Sequence, residues 1–566
     1  MNAVAQLVGA QVALADDADL QSRAHVGKRW PGCCVLKGLD RPRRTDVFAR
    51  MGLAVLLALL GACSTPPFQP SERVATYAFE QPERSMLARL LAPGPAVDPR
   101  DSNLKLLATG HEAFAARSAL AEMAQYTLDL QYHIVAHDET ATLLLQRLLR
   151  AADRGVRVRL LIDDIAGGLP ESELAALSQH PQVEVRLFNP FHWRGSVSRG
   201  LELLGNTKRL NRRMHNKLWI ADNAAAVIGG RNLGDAYFDA SPQDSFSDLD
   251  LLVAGPAVRE ASASFDGYWN SAWAVPLAEV VAPPADGAQV LRDMDARATA
   301  FLASDYVRTL RATEFGRQLR YGTLPMTVAP ARILADTPTA ADGQGDAEAP
   351  DAVRTSAIFP VMRTAVGAAR HEVIMVTPYF VPSDRSVEVL CALPARGVAV
   401  HVLTNSLAST DVPAVHSGYA RYRPRLLACG VQLFELRPAS EDAGASRQRL
   451  SSGASLHAKA VVIDRQWVLM GSMNLDARSR HLNTEVALQV ESATLGARLG
   501  DLFDESTTLD QVWQPTLAEP GDADSAILWQ SLEDGHVVHN ASEPGASAWR
   551  HVEAALLGWL IDEELL

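Results

Sequence analysis

Two stretches of this 566-residue chain place a histidine, a lysine two residues on and an aspartate five beyond that in the same frame. The first runs from His215 through Lys217 and Asp222 to Gly229 and Asn232. The second runs from His457 through Lys459 and Asp464 to Gly471 and Asn474. Every one of these positions recurs 242 residues later. In an extended chain, residues two apart project from the same face, so each His–Lys pair can meet a single ligand. The glycines permit close backbone approach. The asparagine amides, Asn232 and Asn474, are donors for an oxyanion, and Ser472 adds a hydroxyl in the second copy, where the first has Gly230. Two imidazoles, two ammonium groups and two amides suit the cleavage of a phosphodiester. Lysine and amide stabilise charge on the non-bridging oxygens. One neutral imidazole attacks phosphorus, while the other, protonated, gives its proton to the departing alcohol.

Each imidazole needs a carboxylate to hold its tautomer and stabilise its charged form. FSDLDLLVAG follows the first motif and LNTEVALQVE the second, and alignment of their apolar residues pairs Asp248 with Glu485 as the orienting carboxylates. Asp250 competes with Asp248 for this role. Asp222 and Asp464 read as turn-closing residues from their position after the strand.

The elements around the motifs repeat as well. Gly155 in RGVRVRLLID and Gly397 in RGVAVHVLTN are again 242 apart. Leu128–Ile134, Val156–Ile162 and Val183–Phe188 read as strands, and Thr140–Asp153 as a helix. Val373–Thr377, Val398–Leu403 and Val431–Leu436 repeat the strands, with helices near Arg385–Leu393 and Tyr419–Ala428. Alternation of helices with near-continuous apolar strands predicts α/β halves whose sheets are covered on both faces. The division is a leader at 1–62, a tether at 63–85, a first half at 86–275, a connecting segment and possible lid at 276–350, and a second half at 351–566. Within the connection, Arg308–Gly322 reads as a helix over the site or, more simply, as a helix with a solvated arginine face.

Composition agrees with a folded chain: 48% hydrophobic, 21% charged. A net charge of −13 argues against nucleic acid as a partner. Met51–Ala62, twelve apolar or small residues behind Arg41, Arg43, Arg44 and Arg50, has the form of a signal-peptide core. Leu60-Gly61-Ala62-Cys63 follows it, which resembles a bacterial lipobox and marks Cys63 for lipidation. Ser64 after it favours the outer membrane of a Gram-negative cell by the same resemblance. A signal peptide does not begin fifty residues before its core, so the working start of the chain lies later or residues 1 to about 40 are an extension. Cys391 and Cys429, inside apolar helical patterns, read as buried free thiols in preference to a disulfide.

The paired HxKxxxxD…GxxN segments resemble the HKD motifs of the phospholipase D superfamily. NRRMHNKLWIAD, GGRNLGDAYF, TPYFVPS (377–383), HSGYARYRPRLLACGVQLFEL (416–436) and LIDEELL resemble more narrowly the bacterial cardiolipin synthases of the C type. The resemblance covers about residues 80–566. It implies two similar phospholipase D-like α/β sandwich halves around a pseudo-twofold, sharing one active site, with the motif aspartates Asp222 and Asp464 counted in the catalytic set. It further implies a cofactor-free, metal-independent two-step transfer of a phosphatidyl group through a phosphohistidine to a second phospholipid, with phosphatidylglycerol as the expected substrate. His215 is the expected nucleophile and His457 the acid and base; Asn232, Asn474 and Ser472 are the expected phosphate contacts. A hydrolytic phospholipase D remains open, as, further off, do an HKD phosphodiesterase or nuclease and a lipid-anchored scaffold. The remaining histidines, His133 among them, read as surface or structural, and nothing in the sequence reports on an accessory protein.

Overall fold

The computed structural model describes residues 74–91, 98–165, 168–241, 245–338, 356–438 and 455–560. The leader and Cys63 lie outside the described residues, as do most of the acidic loop at 335–350 and of the terminal LIDEELL.

Each half is built on one short central strand with a parallel neighbour on one side and an antiparallel neighbour on the other. In the first, Thr127–Tyr132 pairs in parallel with Arg157–Asp163, which pairs in parallel with Val183–Phe188. Its other edge takes Leu218–Ala221 antiparallel, followed by Ala225–Gly229, Asp250–Ala254 and Asp101–Leu107. The second half repeats this order with Glu372–Val376, Ala399–Asn405 and Gln432–Leu436 in parallel, then Ala460–Ile463, Trp467–Gly471 and Val486–Glu491 antiparallel. The strands are Val-, Ile- and Leu-rich because both faces are covered. Helix Glu139–Asp153, opened by the Asp138 side chain accepting from the Ala141 N–H, covers the first sheet. Helices Pro256–Trp269 and Ala493–Ser506 fill equivalent places in a core to which both halves contribute, with Ile220, Ile228 and Leu251 beside Val462, Met470 and Leu488.

Strand Thr327–Ala335 joins the sheets. Thr327–Pro330 pairs with Asp101–Leu104, and Ala331–Ala335 pairs with Val486–Val490. This strand lies in the segment read as a possible lid, and Leu277, Met294, Ala298 and Leu324 of the same segment are buried in the first half's core. Helices Asp305–Ala312 and Glu314–Tyr321 bury Val307, Leu310, Phe315 and Leu319 there while Arg308, Arg311 and Arg317 face solvent. The solvated reading of the arginines holds, because the apolar residues at three- and four-residue spacing claim the inner face. Phe191–Asn211 forms a small unit of its own, in which Glu202 accepts from the backbone of His192 and Trp193 and from Arg209.

Cys391 and Cys429 are disulfide-bonded. The free-thiol expectation is therefore corrected: Cys391 ends helix Asp384–Cys391 and Cys429 caps helix Pro413–Ala428, and the Cα atoms lie 5.2 Å apart, inside the range a disulfide spans.

Candidate active site

His215 follows a two-residue strand, Arg213–Met214, and His457 follows Ser455–Leu456. Neither strand pairs within its own half. Arg213–Met214 lies parallel to Asn483–Thr484, and Ser455–Leu456 lies parallel to Phe246–Ser247. The His215 N–H donates to Thr484 O at 2.9 Å and the His457 N–H to Ser247 O at 2.7 Å. The next residues are the two carboxylates, so they are exchanged between the halves. His215 Nδ1 meets Glu485 Oε2 at 2.9 Å, and His457 Nδ1 meets Asp248 Oδ2 at 2.6 Å. With Nδ1–H donating to a carboxylate, Nε2 of each ring carries the lone pair. Asp250, the competitor, instead binds Arg117 at 2.9 Å and Arg231 at 3.3 Å.

One site results. The ammonium of Lys217 donates to the backbone carbonyl of His215, 2.6 Å away, and that of Lys459 to the carbonyl of His457. All four side chains are buried. Burial holds both imidazoles well below the usual histidine value, and for His215 the nearby Lys217, Lys459 and His457 act in the same direction. Burial also pulls Lys217 down to about 7 and Lys459 to about 8, against Glu485 and Asp248, which favour the charged ammonium. Glu485 is pushed up to about 7 by burial, opposed by Lys217 and by Ser472. Buried, lowered ammonium groups beside two oriented imidazoles are the environment of a functional site, and an anionic phosphodiester is a group that would favour their charged forms.

Four sequence expectations change. Ser472 is not free for phosphate: its hydroxyl donates to Glu485 Oε2 at 2.5 Å and accepts from the Val486 N–H at 3.0 Å. Gly230 is its counterpart. A Cβ there would stand 2.2 Å from Asp248 Oδ1, so the short carboxylate of the first half occupies the space that serine fills beside the longer glutamate. Asn232 is engaged at both ends, accepting from the Ile134 N–H and donating to Tyr237 Oη, whereas Asn474 Oδ1 is buried with no hydrogen-bond partner among the described residues.

Asp222 and Asp464 leave the catalytic set. Asp222 accepts from the N–H groups of Gln125, Tyr126 and Thr127, and Asp464 from those of Arg370, His371 and Glu372. Each sits in a left-handed turn (φ 53° and 51°), about 20 Å along the strand from its histidine at roughly 3.3 Å per residue. They tie the motif hairpin to the start of the central strand.

The fourth change is His133. Its ring lies 5.1 Å from that of His215, edge to face, and its Nδ1 bonds the Met214 carbonyl at 3.1 Å. No repeat signal marks it, because the corresponding bend in the second half carries Pro378. Tyr237 and Phe246 pack on His457 with ring centroids at 5.3 and 5.2 Å. Tyr379, whose hydroxyl donates to Asp411 at 2.9 Å, shares the electrostatic neighbourhood of Tyr237. Tyr237 and Tyr379 lie within the segments quoted above, but spacing alone gives them no role. Among the described residues, no group of three or more His, Cys, Asp and Glu side chains is placed to hold a metal ion.

The phospholipase D-like domain of cardiolipin synthase matches residues 118–269 and 362–507, one match in each half. The chain is 39% identical to cardiolipin synthase C of Escherichia coli over 484 residues, 85% of this chain and 99% of that one. It is 25% identical to a cardiolipin synthase of Geobacillus kaustophilus over 388 residues, 68% of this chain and 62% of that one. A solved phosphatidylserine synthase of Haemophilus influenzae aligns with a TM-score of 0.48 and 13% identity, over 74% of this chain and 88% of its own. The duplicated domain match and the 39% identity over most of the chain agree: the chain is a phosphatidyltransferase belonging to the phospholipase D-like cardiolipin synthase family.

Proposed function

We propose that this site moves a phosphatidyl group from one phospholipid to the hydroxyl of a second, with phosphatidylglycerol as donor and acceptor and cardiolipin as product. The observation that carries the reading is the exchange of carboxylates, which supports one buried site with two oriented imidazoles, one neutral to attack and one protonated to donate, beside two lysine side chains. In the first step, the Nε2 lone pair of His215 forms a bond to phosphorus. The P–O bond to the donor's glycerol breaks, and the departing oxygen takes the Nε2 proton of His457, which is charged at that point and steadied by Asp248. Glycerol leaves and a phosphohistidine remains. In the second step, Nε2 of His457 takes the proton of the acceptor hydroxyl, whose oxygen bonds to phosphorus as the P–N bond breaks. Lys217, Lys459 and the Asn474 amide hold the non-bridging oxygens as negative charge builds on them. Water in place of the acceptor gives phosphatidic acid.

The Cys63 lipobox supports a lipoprotein, and the Cys391–Cys429 disulfide supports an oxidising compartment such as the periplasm, with the outer membrane as the site of anchoring. Expression in a cardiolipin-deficient host tests the reading. Wild type is expected to restore cardiolipin, and His215→Ala and His457→Ala to fail. Purified protein that yields phosphatidic acid but no cardiolipin would establish hydrolysis instead.

A further inference from the structure

The last described helix, Ala548–Leu560, has two unlike faces. Inward, Leu557 joins an apolar cluster with Val381, Ala414, Val415 and Tyr379. Gly558 lies so close to helix Pro413–Ala428 that a Cβ would stand 2.5 Å from Ser417 Oγ, and its carbonyl accepts from Arg421 Nη2 at 2.6 Å. Arg550 donates to the carbonyl of Thr410. Outward, Trp549 is 73% exposed, Val552 56%, Leu556 55% and Trp559 82%. Steps of three, four and three put these four on one stripe. Exposed Ala548 and Ala555 continue it, while Arg550, His551 and Glu553 are half-buried and lie off it.

A contiguous exposed apolar stripe marks a surface that is covered in use. Tryptophan near each end, with aliphatic residues between, is the composition of a helix lying in the plane of a membrane interface. The inner face ties this helix to the site. Leu557 shares its cluster with Tyr379; the Tyr379 hydroxyl bonds Asp411; and Asp411, next to the Thr410 that Arg550 holds, lies in the field of Lys459.

We propose that this stripe rests on the phospholipid bilayer that holds the substrate and so presents the active site to lipid headgroups. The inference builds on the phosphatidyl-transfer reading, since a lipid substrate is what makes a bilayer the surface this site must meet. The described helix has 13 residues, fewer than the roughly 20 a span needs, and its inner face is packed on the protein, so the proposed contact is one of lying on the surface. Insertion is limited to the outer stripe, because the inner face is committed to helix Pro413–Ala428.

The test uses the full chain carrying Cys63→Ala, so that no acyl group at that position holds it. Vesicles of phosphatidylethanolamine and phosphatidylglycerol with brominated acyl chains are expected to quench a fraction of the tryptophan fluorescence, and W549F/W559F is expected to remove that fraction. The exposed triple variant W549S/L556S/W559S is expected to lose at least tenfold in activity on vesicles. It should keep wild-type activity on dihexanoyl phosphatidylglycerol dissolved as monomers. Quenching untouched by W549F/W559F, or equal loss on vesicle and monomer, overturns the proposal. So does conversion of a dimer to a monomer by the triple variant with vesicle quenching intact, which assigns the stripe to a second copy of the chain. Wild type inactive on both substrates but quenched by vesicles would sink the transfer reading and leave the membrane seat standing.

Discussion

Exchange of the carboxylates has a consequence that no within-half arrangement shares: Glu485→Gln must act on His215, and Asp248→Asn on His457. His215 Nδ1 lies 3.1 and 2.9 Å from the two oxygens of buried Glu485, and Ser472 secures one of them. An amide with its N–H₂ toward Nδ1 forces that nitrogen to accept, which moves the ring proton to Nε2 and removes the attacking lone pair. Where a buried carboxylate holds a catalytic imidazole, such a change lowers kcat by about 10⁴-fold, or roughly 5 kcal/mol in barrier height. The assay is a pre-steady-state burst with a phosphatidyl p-nitrophenyl ester, whose leaving group needs no general acid. Loss of the nucleophile's partner abolishes the burst. Loss of the acid's partner leaves the burst and stops turnover. Four variants sort into two pairs, and the expected pairing is E485Q with H215A and D248N with H457A. The pairing does not depend on which histidine is the nucleophile. If E485Q behaves as H457A does, the carboxylates serve their own halves and the reasoning fails.

The lysines set the alkaline limb. With Lys217 near 7 and Lys459 near 8 in the free enzyme, kcat/KM is expected to fall as pH rises through 7–8, whereas the limb in kcat sits higher because bound phosphate restores the ammonium; K217R should move the start of the kcat/KM limb upward toward 8, where Lys459 then sets it, and an unmoved limb would remove Lys217 from it. Asp222→Ala leaves three N–H groups without their acceptor and should lower stability by about 3 kcal/mol, read as a drop in denaturant midpoint, with kcat within about threefold at a permissive temperature. Reduction of Cys391–Cys429, which closes a loop with a sequence separation of 38, should cost about 4 kcal/mol in the chain-entropy account and expose two thiols to titration. Gly230→Ser drives a Cβ into the Asp248 carboxylate and should lower kcat at least tenfold with KM nearly unchanged.

The two halves are legible because each apolar strand obeys simple rules: the sequence reading of Val183–Phe188 has the observed bounds, that of Gln432–Leu436 starts one residue early, and that of Arg157–Asp163 is shifted by one residue at both ends. The paired motifs were legible because duplication in register is a signal that a lone His-x-Lys lacks. The identity of the two carboxylates came from the same alignment. Their exchange did not, since it depends on two-residue strands that pair across 270 and 209 positions, too short and too distant for any periodic pattern. Ser472 is hidden for a related reason: a hydroxyl beside a phosphate motif looks available in sequence, and Glu485 stands against it in the fold. His133 carried no signal because the duplication does not extend to it. Cysteine pairing needed the packing of two helices, which spacing does not supply. The motif aspartates show how a resemblance can group residues that only share a stretch of chain, since Asp222 and Asp464 belong to the far end of the hairpin.

The central claim is that both histidines act on one phosphorus atom. Mass spectrometry of H457A, quenched with denaturant at alkaline pH so that the acid-labile P–N bond survives, after incubation with a phosphatidyl p-nitrophenyl ester, counts the covalent adducts directly. One phosphatidyl group per chain, attached to His215 and absent from H215A/H457A, is the expected result. In wild type the quenched adduct should likewise never exceed one per chain; chains carrying phosphatidyl groups on His215 and His457 together would mean two independent sites and would contradict the shared one.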